Sequence, residues 1–309
     1  MTNKIIAVQG NNLNNLNPLT DTSIFLAKSG ENRGYKIFYY EPENLSIKNK
    51  KVFANGSFIK IDYSKKKFFK IIKKTHIDLS KVKFILVRQD PPFNLEYIST
   101  TYILDTIKNK VRVINNPTSI RNISEKLYSM KFINFMPDTI FTKKVEDILY
   151  FYKKYKKIIL KPIHSYSGND IIYINNKLNK KLILKFIKKH GHIMCQKFLP
   201  KIKFGDKRVF IINGKICGCI SRVPKAGSIL SNMSKGAKPK LIKLTKREIK
   251  ISKIIAKDLI KEDIYFAGID FIDEKLNGDI NVTSPTGLKT FFDLSNINLA
   301  DYFWKGLRA

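Results

Sequence analysis

The N-terminal third constrains the fold most, because short apolar runs alternate there with helical patterns. KIIAVQ at 4–9, YKIFYYE at 35–41, FILVR at 84–88 and VRVIN at 111–115 each read as a strand. Between the first two, residues 22–34 read as a helix closed by a glycine, and 96–108 read as a helix between the last two. Parallel strands cannot be joined by a tight hairpin and need a crossover, usually helical. The alternation therefore predicts an α/β unit, a parallel sheet with helices on its faces.

A boundary is predicted within NNPTSIRNISEKLYSMKF, dividing the chain into 1–122 and 123–309. Pro117 breaks any continuing element. Asn122 with Glu125 three residues on resembles a capping box, which puts Lys126 in the first turn of a helix. The second part reads as α+β, with helices at 145–155 and 179–189 and strands IIL and IMCQ. RVFIINGKICGCISRVP reads as a hairpin turning on Asn213-Gly214. Thr245 and Glu248 form a second capping box, before a helix to about Lys261. A final hairpin, GIDFIDEKLNGDINVTSPTGL at 268–288, is predicted to turn at Asn277-Gly278. The second part divides further into 123–200 and 201–309, with the aperiodic 225–238 as a lid.

Charge narrows the function classes less than its size suggests. Lys and Arg number 58 against 25 Asp and Glu, a net +33, which favours nucleic acid, anionic membrane or phosphate-rich ligands. The lysines are spread through KKKFFKIIKK, FYKKYKKIIL and NKLNKKLILKFIKKH, in a chain rich in Ile and Asn. That pattern is what an AT-rich genome encodes, and it leaves an electrostatic preference for anionic substrates as a by-product. No apolar run reaches the roughly 18 residues of a membrane helix, and the start lacks signal-peptide features. Three cysteines and four scattered histidines make no zinc pattern. The expectation is a cytoplasmic protein with no membrane and no specific nucleic-acid partner.

Within the last hairpin, Asp279 and Asn281 share a face by alternation, and Asp270 joins them if it lies opposite Asn281. Crowded carboxylates repel unless a cation sits among them, and oxygen-only ligands point to Mg²⁺. The alternative is a half-exposed hairpin with its acids in water. Lys126, and Lys161 at the end of IIL, could meet a phosphate, in a chain whose lysines mostly serve as solvated surface. PIHSYSGND, which follows Lys161, could cover phosphates with its backbone amides. Arg208 and Arg222 occupy otherwise apolar strands, where an arginine needs an anionic partner.

Four stretches carry a resemblance: VRQDPPFNLEYISTTYILD, VINNPTSIRNISEKL, GDKRVFIINGKICGCISRVP and AGIDFIDEKLNGDINVTSPT. In this order, and collinearly over almost the full chain, they resemble the bacterial glutathione synthetases of the ATP-grasp ligase family. The resemblance implies a Rossmann-like pre-ATP-grasp domain followed by an ATP-grasp fold. It implies ATP-dependent joining of γ-glutamylcysteine to glycine through an acylphosphate, with Mg²⁺ (or Mn²⁺), in a homo-oligomer, commonly a tetramer. Position by position, Lys126 and Lys161 match nucleotide-phosphate lysines; Gln196, Lys197, Phe198 and Leu199 match the adenine pocket. Asp206 matches a residue near the ribose, and Arg208 and Arg222 match arginines near the transferred groups. Asp270, Asp279 and Asn281 match magnesium ligands, and Ser284, Pro285 and Thr286 match the substrate end. This chain departs where the family has Glu in place of Asp279, a glycine-rich loop in place of 164–169, and an arginine in place of Leu230. An Asp expected after the first strand is replaced by Gln9 or Gly10. These departures keep two alternatives open: a related ligase with another amine acceptor, or a basic non-catalytic binding protein on a degenerate ligase fold.

Overall fold

A computed structural model describes residues 4–308. The first part comprises β1 (Ile5–Gln9), α1 (Thr22–Asn32), β2 (Lys36–Tyr40), β3 (Leu45–Lys48), β4 (Lys51–Ile61), β5 (Phe69–Asp78), β6 (Phe84–Val87), α2 (Leu95–Asp105), β7 (Arg112–Ile114) and α3 (Pro117–Asn122). Strands β2, β1, β6 and β7 run parallel in that order, as the alternation predicts. β1 is the switch point: the chain leaves it towards β2 on one side and has β6 on the other, which opens a crevice at their carboxyl ends. Antiparallel β3, β4 and β5 extend the sheet beyond β2. The lysine-rich 51–78 stretch is thus a hairpin whose edge strand β5 is mostly exposed, and edge lysines discourage pairing with other chains.

The middle part holds β8 (Thr139–Thr142), α4 (Val145–Tyr155), β9 (Ile158–Pro162), β10 (Ile172–Ile174), α5 (Lys180–His190) and β11 (Ile193–Lys197). Its antiparallel order is β10-β9-β11-β8, and both helices pack on it around a core of its own. The last part holds β12 (Asp206–Ile212), β13 (Lys215–Val223), β14 (Lys238–Leu241), α6 (Lys246–Lys261), β15 (Phe266–Ile272), β16 (Lys275–Asn281), α7 (Leu288–Ser295) and α8 (Leu299–Gly306). Its five strands are antiparallel in the order β14-β13-β12-β15-β16.

The chain's last helices return to its first sheet. Trp304 is fully buried and its Nε1 donates to Leu26 O in α1 (2.9 Å), while Ser29 Oγ donates to Asp301 (2.9 Å). Ile6, Leu26 and Phe84 share one apolar cluster with Phe210, Ile220 and Phe303, so the outer sheets have a common core. Buried Asn115, just after β7, fastens them further. Its Nδ2 donates to Phe266 O and Val282 O (both 2.7 Å), and its Oδ1 accepts from Tyr265 N (3.0 Å) and Phe266 N (2.8 Å). Every hydrogen-bonding position of the amide is filled.

Some local expectations hold and others give way to long-range pairing. The β12–β13 hairpin turns on Asn213-Gly214, both at positive φ, and the Thr245–Glu248 capping box is reciprocal. Pro117, by contrast, opens a helix: it follows an Asn116 cap, a position where its missing N–H costs nothing. Asn122 ends that helix, so it forms no capping box with Glu125, and Lys126 precedes a 3-10 segment, Leu127–Phe135. Glu125 instead accepts three hydrogen bonds at the end of β16: Val282 N (3.0 Å), Thr283 N (3.2 Å) and Thr283 Oγ1 (2.8 Å). The last hairpin turns at Asp273-Glu274, not at Asn277-Gly278. Pairing jumps from Ile269–Ile280 to Phe271–Leu276, so Asn277, Gly278 and Asp279 bulge opposite Asp270.

Candidate active site

A cleft of about 670 Å³ is lined by residues from all three parts of the chain. The bulge in β16 explains one wall. It turns Asp279 between two lysines, with Lys126 Nζ at 3.5 Å from one oxygen and Lys161 Nζ at 3.6 Å from the other. Lys161, near the end of β9, also donates to Asn277 O (2.8 Å) and Asn277 Oδ1 (3.0 Å), and Lys126 donates to Ser165 O (2.6 Å). Both lysines are buried. Burial pulls the Lys161 ammonium below the ordinary lysine range, opposed by Asp279 and reinforced by Lys126.

Strand register builds the second wall. Arg208 lies directly across from Asp270, and Arg222 directly across from Asp206. Asp270 accepts from Arg208 through both Nε and Nη2, and from Arg222 Nη2 at 3.0 Å. Burial works against its ionised form, but the two guanidinium groups outweigh it and hold the carboxyl below the usual range. Asp206 accepts from Arg222 (Nε, 2.8 Å) and from Ser231 in the 225–238 segment (2.6 Å), so its carboxylate serves the arginine. Two buried cations and two buried anions neutralise one another.

The partner of Asn281 across the sheet is Gly268, not Asp270, and Asn281 Nδ2 donates to Gly268 O (3.2 Å). Alternation still puts Asp270, Asp279 and Asn281 on the cleft side, and all three line it. Among the described residues no group of three or more His, Cys, Asp or Glu stands together as a metal cluster. The carboxylate–amide set fits a hard cation. A carboxylate has about four lone-pair sites, and the three N–H groups on Asp270 leave one open, while the tethered amide nitrogen leaves Asn281 Oδ1 free to accept.

Gln196, Lys197, Phe198 and Leu199 line the same cleft. Gln196 Nε2 donates to Thr139 Oγ1 (3.0 Å), and Phe198 N donates to Lys157 O (3.0 Å). The ammonium of Lys197 lies over the Tyr155 ring, 5.4 Å from its centroid. Ser284 and Thr286 are lining residues, whereas Pro285 gives its carbonyl to Arg88 (2.9 Å). The loop 164–169 meets the 225–238 segment at Gly168, whose φ is +71°; a Cβ there would lie 2.5 Å from Asn232 Oδ1. We therefore expect Gly168→Ala to destabilise the protein by about 1 kcal/mol or more through strain at positive φ and the clash with Asn232, measured by urea unfolding.

Residues 5–121 match the family described as prokaryotic glutathione synthetase, N-terminal domain, and residues 125–296 match its ATP-grasp domain. The chain belongs to the prokaryotic glutathione synthetase family. It is 33% identical to the glutathione synthetase of Mesorhizobium japonicum, covering 98% of both chains. It is 34% identical to that of Buchnera aphidicola from Acyrthosiphon pisum, covering 97% of this chain and 96% of the relative. Among solved structures, a D-cycloserine synthetase superposes with a TM-score of 0.67 at 11% identity, covering 98% of each chain. The D-alanyl-alanine synthetase A of Vibrio cholerae superposes at 0.61 with 12% identity, covering 100% of this chain and 98% of that one. Both likenesses establish the ATP-grasp fold.

Several cleft residues of this glutathione synthetase family member escape sequence reading. Ser231, Asn277 and Glu125 act through partners far away in sequence: Asp206, Lys161 and Thr283. Asp21 and Asp90 also line the cleft. Their only local signal is position, one capping the helix after β1 and the other in the loop after β6. Gln9, which with Gly10 is one of the two positions where the family's Asp is expected, donates to Gln89 (2.6 Å) in a buried neutral pair.

Proposed function

We propose that this cleft joins γ-glutamylcysteine to glycine, with ATP converted to ADP and phosphate. The observation that carries the reading is the convergence of four buried cations, Lys126, Lys161, Arg208 and Arg222, on one cleft. A carboxylate is a poor electrophile, and phosphorylation supplies the leaving group it lacks. The cysteinyl carboxylate oxygen attacks the γ-phosphorus, and the bond to ADP breaks. The glycine amine then attacks the acyl carbon, loses a proton as the amide forms, and expels phosphate. Lys126 and Lys161 approach the nucleotide phosphates, exchanging Asp279 and backbone partners for phosphate oxygens. Arg208 and Arg222, fixed by Asp270 and Asp206, present N–H groups to the phosphoryl and acyl oxygens as charge develops. Gln196 to Leu199 line the adenine end, Asp206 orients the ribose side through Arg222, and Ser284 to Thr286 border the acceptor.

Asp270, Asp279 and Asn281 would hold Mg²⁺, or Mn²⁺ in its place, which would offset negative charge on the phosphates. Asp279→Asn should lower kcat about 100-fold at saturating nucleotide, whereas Asp279→Glu, the family residue, should stay within about tenfold of the parent. Titrating Mg²⁺ in the same assay should show the greater metal requirement in the asparagine variant. The setting that fits is the cytoplasm, where thiol substrates stay reduced and the three cysteines remain free. In it the protein acts as a homo-oligomer, a tetramer on the family pattern, on small molecules, and needs neither membrane nor nucleic acid.

ADP release by the purified protein tests the reading. We expect it to require both γ-glutamylcysteine and glycine. Release unaffected by omitting either, or salt-sensitive RNA binding without ATP turnover, would contradict it.

A further inference from the structure

The loop between β16 and α7 contributes Ser284 and Thr286 to the cleft lining, yet its own backbone is gripped by the first part of the chain. Arg88 Nη2 donates to Pro285 O (2.9 Å), and Ser284 Oγ donates in return to Arg88 O (3.3 Å). Thr22 Oγ1 accepts from Gly287 N (3.0 Å) and Leu288 N (3.2 Å). The gripped positions, 285 and 287, thus alternate with the lining positions, 284 and 286.

The Thr22 contact supplies what the local sequence lacks. α7 follows Gly287, at φ +113°, which has no side chain to cap the helix. The first N–H groups of a helix need an acceptor, and a Ser, Thr, Asp or Asn just before it normally provides one. Here the oxygen comes from a residue 265 positions earlier, fully buried at the start of α1. Asp21 caps α1 through Ile24 N (2.7 Å), which leaves the Thr22 oxygen for α7.

Arg88 is 5% exposed and forms no ion pair among the described residues. Its guanidinium joins three elements instead. Nε donates to Ser23 Oγ in α1 (3.1 Å), Nη2 reaches Pro285 O, and the group lies 5.8 Å from the centroid of the Phe266 ring in β15. Burying a charge without a counter-charge costs stability, so stability alone does not account for this arginine. Thr22 and Ser23 are consecutive, so one turn of α1 holds both Arg88 and the start of α7.

We propose that Thr22 and Arg88 are positioning residues for transfer to the amine, fixing Pro285 and Gly287 so that Ser284 and Thr286 are set against the incoming acceptor. The assignment rests on the proposed reaction, in which this loop borders the acceptor. Neither residue lines the cleft, so each acts through the loop. Misplacing reacting groups by about 1 Å costs on the order of 100-fold in rate. The nucleotide end, formed by Lys126, Lys161 and Gln196 to Leu199, takes part in none of these bonds, so the two ends of the cleft should respond differently.

Thr22→Val exchanges the hydroxyl for a methyl group of similar size and leaves the two N–H groups of α7 without their acceptor, whereas Thr22→Ser keeps the oxygen. In ADP release dependent on γ-glutamylcysteine and glycine, the valine variant should lose about 30-fold or more in kcat/KM for glycine, with KM for ATP raised by no more than about twofold. The serine variant should return to within about threefold of the parent. Arg88→Met removes a buried charge rather than stranding one, so it should stay folded by its thermal midpoint and move the glycine constant in the same direction. It decides the matter if the valine variant does not fold. Parental glycine kinetics in folded variants, equal rises in KM for glycine and ATP, a serine variant as impaired as the valine one, or unfolding of both Thr22→Val and Arg88→Met would overturn the positioning role and leave the reaction standing. A parent that releases no ADP on γ-glutamylcysteine and glycine would instead overturn the reaction, and the positioning role with it.

Discussion

Lys161→Met should lower kcat/KM for ATP by about 1,000-fold while leaving the protein at least as stable as its parent. Lys161 is 4% exposed and held among Asn277 and Asp279, with its charge disfavoured by burial. Methionine has nearly the same length and no charge, so it fills the site without the desolvation penalty. Asp279 remains partly exposed and paired to Lys126, so the loss does not strand a fully buried anion. A nucleotide phosphate, by contrast, cannot replace the missing ammonium. Kinetics with saturating γ-glutamylcysteine and glycine, together with a thermal midpoint, separate the two effects. A fall in activity below tenfold, or a variant that unfolds, would contradict this account of Lys161.

Asn115→Ala should act on stability rather than chemistry, lowering it by about 4 kcal/mol or more in urea unfolding. The substitution leaves Tyr265 N, Phe266 N, Phe266 O and Val282 O without their present partner, all at the junction of the outer sheets. Each buried unpaired group costs roughly 1–3 kcal/mol, less wherever water can enter. Since single domains are stable by only about 5–15 kcal/mol, this variant should be close to unfolding at growth temperature. Asn115→Asp should be little better: its oxygens could accept from the two N–H groups but could not donate to the two carbonyls. A loss below about 1 kcal/mol would show that the clasp is not what joins the sheets.

How far the chain could be read from its sequence depended on whether the controlling interaction was local. The parallel strands were legible because Ile6, Val8, Ile37, Ile85 and Leu86 form short apolar runs separated by helical patterns. Strands β3 to β5 were not, because lysines on the exposed edge break the alternation that would mark them. Asn277-Gly278 carries the local signature of a turn, and left-handed backbone serves a bulge equally well. Pairing Phe271 with Leu276, both fully buried, moves the reversal to Asp273-Glu274. Glu125 looked like part of a helix cap, yet its three partners lie more than 150 residues away.

The candidate site shows the same division. Arg208 and Arg222 announced a need for anions simply by lying in apolar strands. That the anions are Asp270 and Asp206 depends on strand register, which no local pattern reveals. Lys126, Lys161 and Asp279 stood out by their places on a helix start, a strand end and a hairpin face, and the family resemblance matched them to site positions. What brings Asp279 to 3.5 Å from Lys126 and 3.6 Å from Lys161 is the bulge that sequence reading took for a turn.

Oxygen transfer tests the central claim, activation of a carboxylate by ATP, most directly. γ-Glutamylcysteine labelled with ¹⁸O in its cysteinyl carboxylate should be converted with ATP and unlabelled glycine, and the released phosphate analysed by mass. Attack of that carboxylate on the γ-phosphorus predicts phosphate carrying one ¹⁸O and a product that keeps the other. Unlabelled phosphate, released as ADP forms, would mean that water rather than the carboxylate takes the phosphoryl group, and would contradict the account.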